Sequence, residues 1–168
     1  MRIQVMPFAF TLRRAAGASV VAASLLLAAG GAHAGECPAD KRVADGQGQK
    51  MTTLAARDVT DVVRSTTDLS KEPAGVQGRQ FRLRQLDIGP GGIVPWHSHD
   101  NRPAMIYIVS GEIVEYASNC AVPIVHKAGD VAPERKGTSH WWQNKGSEKV
   151  VLISVDLFPA GKADDKMM

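Results

Sequence analysis

From residue 80 onward the chain is cut into short β-branched and aliphatic runs by glycine, proline, asparagine and aspartate, and that spacing limits what it can become. Runs near 80–88, 93–99, 105–109, 112–116, 122–126, 139–144 and 149–158 each read as a strand, with a tight turn at the GPGG of 89–92. A further β-branched run at 59–63 has an ambiguous pattern, and 70–78 reads as a loop. No sustained helical period occurs after the first 34 residues. Many short strands at regular spacing, with turn residues between them, indicate an all-β sandwich or barrel.

Two stretches carry the chemistry. The first, GGIVPWHSHDNRPAMIYIVSGE at 91–112, puts His97 and His99 two residues apart in a strand. Side chains alternate faces along a strand, so both imidazoles project from one side and supply half of a metal site. The second, GDVAPERKGTSHWWQN at 129–144, places His140 just after a glycine turn. Together they resemble the two signature motifs of the cupin superfamily. The first motif, G-x5-H-x-H-x(3,4)-E-x6-G, is matched by Gly91, His97, His99 and Gly111, with Ala104 where the motif has glutamate. The second, G-x5-P-x-G-x2-H-x3-N, is matched by Gly129, Gly137, His140 and Asn144, with Arg135 in place of the proline.

The resemblance implies a double-stranded β-helix, the jelly-roll barrel of the cupins, over 79–160. Residues 35–78 form an N-terminal arm and first strand, and 161–168 a frayed tail. It also implies that His97, His99 and His140 hold a divalent transition metal inside the barrel. Iron is the expected ion for an oxygenase, while zinc, nickel, copper, cobalt and manganese suit imidazole or fit the family. With Ala104 in the motif, the ligand set is neutral, so the ion should make bound water acidic and draw an anionic ligand. Asp100, Glu112 and Glu134 are the acids near enough in sequence to replace the glutamate, and none has a better case than the others.

Ile106 and Ile108 share the face of Ala104 and make the cavity apolar around the metal. Trp142, on the face of His140, either walls the pocket or fills the core. Asn144 either orients a ligand or satisfies buried backbone, the commoner task. Arg102, the one cation in the loop after His99, is the candidate catalytic residue, anchoring a substrate carboxylate; a solvated loop arginine is the ordinary alternative. His126 lies outside both motifs and reads as a surface or structural histidine.

Residues 1–34 read as a secretory signal peptide: Arg2, Arg13 and Arg14, then an uncharged run rich in alanine and leucine, then Ala32-His33-Ala34 before a cleavage point at Gly35. The run is short for a membrane span, so no stable anchor is expected, and general export is favoured over the twin-arginine route. The protein is therefore expected in the periplasm or outside the cell. The leader holds three of the chain's 20 Lys and Arg and none of its 17 acids, so the +3 formal charge vanishes on cleavage. A neutral chain with few aromatics offers no nucleic-acid surface. Two cysteines, Cys37 and Cys120, in an oxidising compartment read as a disulfide in preference to a pair of metal ligands.

Two functions follow. The first is a metal-dependent enzyme on a small anionic molecule, with dioxygenation by iron(II) as the leading reaction; some cupin oxygenases work with three histidines and no acid. The second is a non-catalytic periplasmic protein binding a metal and a small anion. Pairing through outer sheets, common among cupins, leaves room for a homodimer.

Overall fold

The computed structural model describes residues 35–161. Residues 1–34, read above as a signal peptide, and 162–168, read as part of the tail, lie outside the described residues. Eight antiparallel strands form one sheet that curls into a nearly closed barrel: β1 (Arg57–Asp68), β2 (Arg79–Ser98), β3 (Ala104–Ser110), β4 (Glu112–Ala117), β5 (Ile124–Lys127), β6 (Val131–Glu134), β7 (Ser139–Gln143) and β8 (Val150–Pro159). Their order is β5-β4-β7-β2-β8-β3-β6, with β1 paired to β2. The all-β expectation holds. Among the described residues no helix is long and apolar enough to cross a membrane.

Two elements differ from the sequence reading. The GPGG at 89–92 is not a turn between strands but part of β2, which runs on for 20 residues. Its first half pairs with β1 and β8, its second with β7, and the glycines sit where the partners change. Gly91 has φ +73°, and a Cβ at Gly92 would come within 2.7 Å of Ile88 Cγ2. A strand turning a barrel corner needs this freedom and this close approach. The other difference is β6, a four-residue strand whose VAPE sequence has weak β character. Pairing with β3 makes it a strand despite that.

Alternation packs Leu86, Ile88, Ile106, Ile108, Ile113, Trp142, Val150 and Leu152 into one core. Next to these, two rows of inward residues run across β6, β3, β8 and β2. One is Glu134–Ala104–Asp156–Arg82 and the next Ala132–Ile106–Ser154–Arg84. All eight are buried. An alternating strand ordinarily buries apolar side chains, so a barrel wall carrying two arginines and two acids is itself a functional signal.

The arm before β1 is tied to the barrel by the Cys37–Cys120 disulfide. Backbone bonds add to it, from Val43 N to Asn119 O at 3.0 Å and from Ala121 N to Lys41 O at 2.9 Å. The bridge spans a sequence separation of 83, for which chain entropy gives about 4–5 kcal/mol of stabilisation. Replacing both cysteines with alanine is expected to lower unfolding free energy by ~2–5 kcal/mol, read from urea denaturation. An unchanged midpoint and slope would mean that the arm holds without it.

Candidate metal centre

The register of β2 on β7 sets His97 directly across from His140, and the two-residue step brings His99 beside them. The three Nε2 atoms meet: 3.1 Å from His97 to His99, 3.1 Å from His99 to His140 and 2.9 Å from His140 to His97. His99 and His140 are buried and His97 is partly exposed.

The opposite nitrogen of each ring faces an acceptor. His97 Nδ1–H donates to the carbonyl of Pro95 at 2.8 Å, and His99 Nδ1–H to that of Arg102 at 2.8 Å. His140 Nδ1–H donates to Glu115 Oε1 at 2.6 Å. Carbonyls and an ionised carboxylate only accept, so the proton of each neutral ring sits on Nδ1 and the Nε2 lone pairs converge. Burial, with the neighbouring histidines, holds His97 well below the ordinary histidine pKa and His99 down to about 3, so a proton does not settle between them. Three lone pairs about 3 Å apart repel unless a cation lies among them, and fixing the far nitrogen is how proteins orient histidine ligands. The residues fit a divalent metal ion.

Glu115 is the residue that sequence reasoning missed. Its Oε2 accepts from His126 Nε2 at 2.8 Å, and the buried His126 ring stacks on Trp142. Burial works against its charge, but His140 and His126 outweigh that and hold its carboxyl down to about 2. The neutral ligand set therefore has a carboxylate one step behind it. Glu115 shares strand parity with Ile113 and Ala117, and an acid at an inward position was the available signal. Replacing Glu115 with glutamine keeps a hydrogen-bond acceptor but removes the charge. Metal affinity is expected to fall about 10- to 100-fold, measured by competition with a chelator, and an unchanged affinity would separate Glu115 from the centre.

The other sequence candidates are distributed as follows. Glu134 ends β6 facing inward, across from Ala104, with Oε2 3.5 Å from His140 Nδ1 and Oε1 without a hydrogen-bond partner. Burial and the neighbouring Glu115 push its carboxyl well up, toward the neutral acid. It approaches His140 from the side away from the three converging nitrogens, as Glu115 does. Asp100 accepts from Gly137 N at 2.8 Å, and the exposed Glu112 pairs with Lys127. Ala104 and Ile106 line the interior, and Trp142 lies 5.5 Å from the His140 ring, centroid to centroid, so it serves as both wall and core. Asn144 does not face the histidines with a free amide. Its Nδ2 donates to the carbonyls of Ile88, Gly89 and Glu148, and its Oδ1 accepts from Gly146 N, so it fastens the corner of β2. Arg102 holds His99 through its carbonyl and sets Nη1 3.4 Å from Asp156 Oδ2. A cavity of about 270 Å³ lies between the arm and the strands, lined by Glu115, Arg42 and Arg135, and none of the three histidines lines it.

Comparison with known proteins agrees with this architecture. Residues 85–156 match the Cupin_2 model, described as a cupin domain. The oxalate-binding protein of Thermotoga maritima is 34% identical over 87 residues, covering 52% of this chain and 69% of that protein. This chain belongs to the cupin superfamily. The cupin is also 30% identical over 137 residues to auxin-binding protein ABP19b of Prunus persica, covering 70% of this chain and 66% of that one. It spans less than half of other plant relatives that it matches. A double-stranded β-helix protein of Klebsiella pneumoniae superposes with a TM-score of 0.51 at 20% identity, over 67% of this cupin and 87% of that chain.

Proposed function

We propose that this cupin is an exported protein that holds one divalent transition metal through Nε2 of His97, His99 and His140 and presents it to a small carboxylate. The convergence of three unprotonated nitrogens carries the reading. Bound there, the ion supplies a Lewis-acidic centre with open positions, and with neutral ligands those positions favour an anion. Two relatives are named for binding oxalate and auxin, which supports a small ligand. Around the ion, the buried Ala104, Ile106 and Trp142 exclude water, and Arg102, only 11% exposed and paired with Asp156, would meet the ligand's carboxylate. Export is supported by the disulfide and by the leader pattern of residues 1–34. Met105, Tyr107 and Val109, outward on β3 and exposed, support pairing of two copies through the outer sheet.

The metal is iron if the protein is an oxygenase. That reaction rests on the resemblance to three-histidine cupin oxygenases, and the named relatives favour binding without turnover. Loading the mature protein with iron(II) and following dioxygen uptake with oxalate and other small carboxylates separates the two. Uptake that requires all three histidines establishes the oxygenase. Metal and ligand bound with no uptake establishes the binder, and protein that takes up no metal overturns both.

A further inference from the structure

Five charged side chains lie together inside the barrel. Arg82 turns the Nε and Nη2 edge of its guanidinium on Asp156, at 3.0 Å to Oδ1 and 2.8 Å to Oδ2. Arg102 reaches Asp156 Oδ2 at 3.4 Å, and Arg84 Nη1 donates to Asp61 Oδ2 at 2.6 Å. Three guanidinium groups thus gather about two carboxylates. One donor edge in this group is unmet. Arg84 is 1% exposed, yet its Nε and Nη2 have no hydrogen-bond partner, and Nη2 is 3.8 Å from Asp156 Oδ2, beyond bonding reach. These two atoms form the same edge that Arg82 closes on Asp156. Across from Arg84 in the β2–β8 register lies Ser154, fully buried, whose hydroxyl also has no partner.

We infer that Arg84, with Ser154 beside it, is an internal fork for one carboxylate group of the small ligand. The inference rests on the proposed function only in taking that ligand to be a carboxylate. A guanidinium edge with two parallel N–H donors matches the two oxygens of a carboxylate, and a hydroxyl beside it adds a third donor. A buried donor edge left unsatisfied is costly, and a carboxylate there closes the hydrogen-bond deficit. Burial draws the Arg84 pKa down to about 10, so an anion there would stabilise the charged form. Beside Ser154 in the same row lies Ile106, with Ala132 beyond it and Ala104 in the neighbouring row. The charged layer also communicates with the metal centre: Arg102, which reaches Asp156, is the residue whose carbonyl fixes His99. The ligand would then be held at one end by protein donors, independently of the ion.

Arg84→Lys keeps the charge opposite Asp61 and removes the two-donor edge, and Ser154→Ala removes the hydroxyl alone. Calorimetry with potassium oxalate on the metal-loaded protein should show roughly 30- to 100-fold weaker binding for Arg84→Lys and a several-fold loss for Ser154→Ala. Metal content should stay as in the wild type. In nitrogen-15 NMR of the metal-free protein, acetate or oxalate should shift the Arg84 Nε–H resonance, and sodium chloride at equal ionic strength should not. Wild-type oxalate affinity in Arg84→Lys, an unmoved resonance, or an equal response to chloride would each overturn the fork. If Arg84→Lys does not fold, the Ser154→Ala affinity and the wild-type resonance decide. A wild-type protein without metal would refute the proposed function and leave the fork to be judged by the metal-free titration.

Discussion

Replacing His140 with alanine is expected to remove bound metal almost entirely, from about one ion per chain to background after dialysis against a weak chelator. His140 is the proposed ligand from the second motif, and it joins His97 and His99 from a different strand. Without it two imidazoles on one strand remain, and affinity should fall by more than the roughly 10- to 100-fold that loss of an outer partner costs. The deleted ring also leaves a space beside Glu115 and Trp142, both buried. Free imidazole should enter it and restore part of the metal, which a general loss of structure would not permit. Elemental analysis with and without imidazole checks this. Full metal retention in the variant would remove His140 from the centre.

The second large effect is on stability. Asp156→Asn preserves shape but leaves Arg82, Arg84 and Arg102 without the carboxylate they surround. Breaking a buried pair by removing one charge costs about 3–5 kcal/mol, because the other charge stays buried and uncompensated. The loss should appear as a lower midpoint in urea with an unchanged slope. Glu112→Gln, which breaks the exposed pair with Lys127, should cost under about 1 kcal/mol and serves as the control. A change of under about 1 kcal/mol for Asp156→Asn would mean that the charged layer is wetter than its burial implies.

Much of this was legible in the sequence because strand parity is a strong rule. His97, His99 and His140 were read as convergent from spacing and from the motif resemblance, and Ile106 and Ile108 as inward from parity with Ala104. What parity could not reveal is which inward residues meet across the barrel. Glu115 and His140 lie 25 residues apart, and their contact depends on the β4–β7 pairing. Arg82, Arg84 and Asp156 are brought together by the β2–β8 register, and a stretch such as QFRLRQL alternates apolar with charged residues as any half-exposed strand does. Here the alternation has the charged residues inside: Arg82 and Arg84 are buried while Phe81 and Leu83 are exposed. That inversion breaks the usual assignment of faces. The GPGG corner departs from the sequence reading for a related reason, since glycine and proline mark a bend without saying whether the ladder continues through it.

The account stands on one arrangement, a single ion shared by three Nε2 atoms. Anomalous diffraction from crystals of the metal-loaded protein, collected at the absorption edge of the metal, tests it most directly. One peak within bonding distance of Nε2 of His97, His99 and His140 is the predicted result. A peak on the other side of His140, between Nδ1, Glu115 and Glu134, or no peak at the histidines of fully loaded protein, would contradict it.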